Sequence, residues 1–173
     1  VHYQPVVDLH TGAVTGFEAL ARWHDPVLGD VRPDRFIPAA ERLGLIGVLG
    51  RSVLEQAYDG ARALVAAGGR ATVLGVNLSA LQVTDAELAA RVRELAVADE
   101  AIGLVLELTE GILLADDGET VAALRDLQAA GTRIAIDDFG VGYSSVGYLH
   151  RLPVDILKID KLFVAELHEP RSA

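Results

Sequence analysis

The 173-residue chain reads as an α/β barrel. Three observations point there. Strand and helix alternate along the chain; the strands are near-continuous runs of Val, Ile and Leu; and a polar or charged residue recurs at the C-terminal end of each strand. Near-continuous apolar strands mean a parallel sheet buried on both faces. No glycine-rich phosphate loop follows any of them, which disfavours a doubly wound nucleotide-binding sheet. The recurring strand-end residues are Glu18, Asn77, Glu107, Asp137 with Asp138, and Lys158. In a closed α/β barrel such ends form one face, and that face carries the chemistry.

Each element has its own signal. "VHYQPVVDL", "TG" and "AVTGFEALARW" predict two strands joined by a tight turn. Helical spacing runs from Pro33 to Leu49, and Arg51 to Ala67 reads as a long Ala-rich helix ended by Gly68-Gly69. "ATVLGVNLS" is the next strand. Thr84 and Glu87 of "TDAE" predict a capping box for a helix reaching Ala98. "IGLVLELTE" follows as a strand, and Asp116-Asp117 opens a helix through Ala130 that stops at Gly131. "TRIAIDD" is a strand, "SSVGYLHRL" a short helix, "VDILKID" a strand and "KLFVAELHE" the start of another helix. No linker, low-complexity tract or short repeat interrupts the series.

Composition excludes several classes. The length suits about one domain, and the apolar fraction of 51% suits a globular core. With no Cys, neither disulfides nor thiolate metal sites are possible. A formal charge of −10 argues against a nucleic-acid scaffold, which needs Lys and Arg in excess. An anionic small substrate stays compatible if a cation or a few basic side chains offset the field. No apolar run approaches the length of a membrane span, "LGLIGVLG" being far too short. The chain lacks an initiating Met and a signal-type start, and reads as excised from something longer.

Glu18, Asn77, Glu107 and Asp137 offer four hard oxygen donors without imidazole or sulfur, a set suited to Mg²⁺, Mn²⁺ or Ca²⁺ rather than Zn²⁺. Asp138 could reach a second ion while Asp137 bridges, and paired ions are a recurrent device for phosphodiester hydrolysis. Lys158 would then offset phosphate charge or orient the water, with Asp160 on the same side of its strand. Each residue also has a plainer reading. The Asp pair alone is more often a helix N-cap, and Asn77 a turn residue. Glu18 could be a strand end paired to Arg22, and Lys158 a snorkelling or ion-paired residue. Glu107 is harder to dismiss, because a charge inside "LVLEL" sits where the core should be. The five histidines lack ligand spacing and read as surface or satisfied residues.

"YQPVVDLHTGAVTGFEALARW", "FIPAAERLGLI", "VNLS", "LELTE", "DDFGVGYSS" and "LKID", in that order, resemble the EAL domain, the cyclic di-GMP phosphodiesterase family. The likeness runs from end to end of the chain. It implies a modified (β/α)8 TIM-type barrel whose first strand is antiparallel, in a bacterial, cytoplasmic signalling setting. The implied reaction opens one phosphodiester of cyclic di-GMP to linear pGpG with Mg²⁺ or Mn²⁺ in a two-metal site. By resemblance, Glu18, Asn77, Glu107 and Asp137 are metal ligands, and Asp138 serves the second metal. Lys158 positions the attacking water, Asp160 supports it, and Glu110 steadies the "DDFGVGYSS" loop. Gln4, Leu20 and Arg22 match ligand-contacting positions, Arg22 being suited to a phosphate oxygen. Val141 and Gly111 depart from the small hydroxylated residues usual there. A homodimer through the 137–150 region is also implied; Tyr143 and Tyr148 offer aromatic area suited to it, with core packing of the short helix an equal alternative.

The family pattern continues with a further glutamate and a glutamine, and this chain stops before either. A barrel typically needs about 250 residues, so residues 1–173 are expected to be the N-terminal two-thirds to three-quarters of the domain, with an open edge. The chain by itself is therefore expected to turn over poorly. The competing readings are a cyclic di-GMP-binding module without turnover, and a barrel lyase using Lys158 as a Schiff base.

Overall fold

A computed structural model describes residues 1–68, 72–99, 101–114, 118–140, 149 and 151–166 of the chain. Six strands form one sheet: β1 (His2–Val7), β2 (Val14–Leu20), β5 (Thr72–Leu78), β6 (Ile102–Thr109), β7 (Arg133–Phe139) and β8 (Ile156–Ile159), adjacent in that order. β1 pairs antiparallel to β2, and every later pairing in this sheet is parallel. The result is a curled, incomplete α/β barrel with an antiparallel first strand, as expected. Two elements were not foreseen, the short strands β3 (Trp23–Asp25) and β4 (Gly29–Val31), which form a separate hairpin.

Among the described residues there are five α-helices: α1 (Pro33–Arg42), α2 (Ile46–Ala66), α3 (Ala86–Ala98), α4 (Gly118–Ala129) and α5 (Lys161–Glu166), of which α2, α3 and α4 pack on β5, β6 and β7. The expected break between the first two helices moves. Gly44 takes φ +68, a conformation that costs glycine little, so α1 ends at Arg42 and α2 starts at Ile46 rather than at Arg51. The cap of α3 also differs from expectation. Asp85, not Thr84, is the N-cap, its carboxylate accepting from the N–H groups of Glu87 and Leu88. A capping box does occur one turn earlier, between Ser79 and Gln82.

Strand periodicity separates two faces. Leu74, Val76, Leu104, Leu106, Ile134 and Ile136 point to the helices, meeting Leu54 and Tyr58 of α2, Val92 of α3 and Leu124 of α4 in one core. The opposite, concave face carries Glu18, Gly75, Asn77, Glu107, Ala135 and Asp137. The parallel register sets Glu18 beside Gly75, Asn77 beside Glu107, and Glu107 beside Ala135. Small residues thus leave room for the long acidic ones.

The outer strands are less covered. All of β1 is exposed, and Leu157 and Ile159 of β8 are open to solvent. Tyr3 nevertheless ties β1 to α2, donating its hydroxyl to the carbonyl of Gln56 at 2.8 Å. No helix among the described residues is long and apolar enough to cross a membrane. Val141, Tyr143, Tyr148 and most of the short helix expected over 144–152 lie outside the described residues, as does most of the segment expected to form a dimer.

Candidate metal centre

Glu18, Glu107 and Asp137 come from β2, β6 and β7, and each reaches the same point above the concave face. One carboxylate oxygen from each lies within 4.8 Å of the other two. Asn77, from the intervening strand β5, donates its side-chain amide to Glu18 Oε1 at 2.7 Å. Gly75 makes this convergence possible: a Cβ there would stand 2.3 Å from Glu107 Oε1. Strand parity puts Gly75 on the side of Asn77, so the sequence itself carries a signal for this small residue.

Lys158, on β8, closes the cluster. Its ammonium donates to Glu18 Oε2 at 3.1 Å, to Asp137 Oδ2 at 3.1 Å, and to Glu107 Oε2 through a short contact. Three carboxylates share one ammonium, so negative charge stays in excess. Burial pushes the Glu107 carboxyl up to about 7 against the opposing pull of Lys158, with Glu18 and Asp137 adding to the rise. Burial works against the charged form of Lys158, yet the hydrogen bond and charge of Glu107, with Glu18 and Asp137 behind it, raise its pKa on balance. Lys158 is a firm cation.

Asp138 goes elsewhere. It has φ +53, and the β7–β8 pairing is irregular between Ile136 and Phe139. The two neighbouring aspartates therefore serve different surroundings: Asp137 joins the three-carboxylate cluster, while Asp138 lies against Asp160. Burial raises the Asp138 pKa, followed by the charge of Asp137 and a hydrogen bond with Asp160. Asp160 also accepts from the Leu162 N–H at 2.7 Å, capping α5.

Glu110, in the turn after β6, accepts from the Gly140 N–H at 3.2 Å and so ties that turn to the end of β7. Gln4 is opposite Glu18 in the β1–β2 register and is exposed. Leu20 and Arg22 line a cavity of about 470 Å³ that also touches Glu18 and Asn77. The Arg22 guanidinium donates to the carbonyl of Ala21 and not to Glu18, so the strand-end ion pair considered for Glu18 is replaced by the one with Lys158. Ser79 and Glu41, joined by a 2.6 Å hydrogen bond, line the same cavity and were not singled out in the sequence. "VNLS" was the available pointer to Ser79. Gly111 is exposed in the turn that begins at Glu110.

Comparison with known proteins places the chain in a family. The model of the EAL domain family matches residues 1–173. The bifunctional diguanylate cyclase/cyclic di-GMP phosphodiesterase MucR of Pseudomonas aeruginosa is 43% identical over 169 residues, 96% of this chain and 25% of the relative. The cyclic di-GMP phosphodiesterase NbdA of the same organism is 41% identical over 172 residues, 96% of this chain and 22% of the relative. A solved structure described as the PaMucR phosphodiesterase in complex with c-di-GMP superposes with a TM-score of 0.84 at 42% identity, covering 97% of this chain and 69% of that one. The EAL domain of Mycobacterium smegmatis DcpA gives a TM-score of 0.75 at 33% identity, covering 98% and 67%. The chain spans about a quarter of the length of these curated relatives.

Proposed function

The chain belongs to the EAL-domain family, and on that premise we propose that it carries the hydrolytic centre of a cyclic di-GMP phosphodiesterase, opening one phosphodiester to give linear pGpG. The observation that carries this reading is the meeting of Glu18, Glu107 and Asp137, from three strands, with oxygens within 4.8 Å. The donor set fits a hard divalent ion such as Mg²⁺ or Mn²⁺, having carboxylates and an amide but no thiolate or imidazole. Glu18, Asn77, Glu107 and Asp137 would hold one ion, and Asp138 would serve a second. When bound, such ions polarise a phosphoryl oxygen and lower the pKa of a water to the neutral range.

The chain's own side chains account for the remaining work. Lys158, held cationic by its carboxylate neighbours, acts as a hydrogen-bond donor that orients the attacking water. That same charge disfavours imine formation, which requires a neutral amine, and so weighs against a Schiff-base lyase. Asp160, two residues on, supports the position of Lys158 and of Asp138. Arg22 presents a guanidinium to a phosphate oxygen at the rim of the cavity, with Gln4 and Leu20 contacting the rest of the ligand. Glu110 holds the turn beyond Asp138 through Gly140.

The test is direct. The protein incubated with cyclic di-GMP and Mn²⁺ is expected to release pGpG, slowly where residues 1–173 act alone, resolved by anion-exchange chromatography, and to release none with EDTA or as Glu107→Gln. Retained cyclic di-GMP binding with no pGpG under any metal would replace this reading with a binding module.

A further inference from the structure

The ammonium of Lys158 and a divalent ion have use for the same oxygens. Glu18 Oε2, Asp137 Oδ2 and Glu107 Oε2 are the acceptors of Lys158, and these three residues are the ones whose oxygens converge. An ammonium has three N–H donors and no acceptor. All three are directed at carboxylates, so in this arrangement Lys158 has none left for a water or a phosphate.

We propose that Lys158 is a tethered competitor for the cation site, setting its affinity and its preference for divalent over monovalent ions. A monovalent ion entering the cluster replaces one positive charge with another and must displace a group held close by its own chain. A divalent ion adds a net charge to a cluster in which three carboxylates face one ammonium, and so can displace it. Once displaced, Lys158 has its donors free for the reacting water, so one exchange both seats the ion and readies the lysine. The position of Lys158 on β8 suits it to this: its ammonium reaches across Asp137 on β7 to Glu107 on β6 and Glu18 on β2.

This inference rests on the cluster being the cation site of the proposed function, and the experiment separates the two. Mn²⁺ binding is measured by electron paramagnetic resonance on the ion-free wild type, Lys158→Met and Glu107→Gln, at low and at high NaCl. Lys158→Met is expected to bind Mn²⁺ at least tenfold more tightly than the wild type, and to lose more of that affinity to Na⁺. Equal or weaker binding by Lys158→Met, with the wild type still binding and Glu107→Gln not, overturns the competitor and leaves the cation site standing. Absence of binding in all three overturns both. The wild type gives a second readout should Lys158→Met not fold. The ¹⁵N resonance of the Lys158 ammonium is expected to shift on saturation with diamagnetic Mg²⁺, and an unmoved resonance overturns the exchange.

Discussion

Replacing Glu107 by Gln should make the ion-free protein more stable while destroying its ability to bind a divalent ion. Glu107 is 5% exposed and its carboxyl is pushed up, chiefly by burial, from an ordinary 4.5 to about 7. The unfolded chain therefore gives up this proton at lower pH than the folded one. The favourable contribution is present below the unfolded pKa and is lost as pH rises through the folded value, between about 4.5 and 7. That interval converts to roughly 3 kcal/mol at ~1.4 kcal/mol per tenfold, an upper figure. Gln keeps the volume and can still accept from Lys158, but it has no charge to desolvate. At pH 8 in EDTA, Glu107→Gln should thus melt above the wild type by up to roughly 6–12 °C, given about 2–4 °C per kcal/mol for a domain of this size. At pH 4.5 the two should melt together. Calorimetry across pH 4.5–8 in EDTA, repeated at pH 8 with Mn²⁺, measures both sides: Mn²⁺ should raise the wild-type melting temperature and leave the variant unmoved. A variant that melts below the wild type at pH 8 in EDTA, with no convergence at low pH, would refute the reasoning and make the Glu107 charge a net source of stability.

Four further variants have outcomes set by the geometry. Glu18→Ala removes a carboxylate from the cluster and should weaken Mn²⁺ binding at least tenfold, whereas Asp138→Asn should lower turnover more than cyclic di-GMP affinity; isothermal titration and initial rates distinguish them, and unchanged turnover in both at saturating metal would make these carboxylates structural. Gly140→Ala places a side chain at φ +107, with its Cβ 2.6 Å from the Phe163 ring, and should cost about 1–3 kcal/mol in urea unfolding. Asp85→Ala removes two hydrogen bonds at the start of α3 and should cost about 1 kcal/mol by the same measurement.

Much of this protein was legible in its sequence because its signals are local. Period-two and period-3.6 patterns, together with glycines at helix ends, located most strands and helices. A charged residue inside "LVLEL" marked Glu107 as an exception to burial that needed a cause. Boundaries shifted where a single backbone choice decided them, as at Gly44 and at Asp85. The β3–β4 hairpin went unseen because its strands are three residues each, too short for any periodicity. What one dimension could not contain was the register. Sequence order alone does not say that Glu18 lies beside Gly75 and Asn77 beside Glu107, or that Gly75 clears the space in which Glu107 bends. Nor does it separate Asp137 from Asp138, adjacent in the chain yet sent to different partners by φ +53 and an irregular pairing. The sequence determined which oxygens and which ammonium were available. Only the curling of the sheet decided that Lys158, 140 residues from Glu18, would meet it, because strand pairing and sheet curvature bring segments distant in the chain within hydrogen-bonding distance.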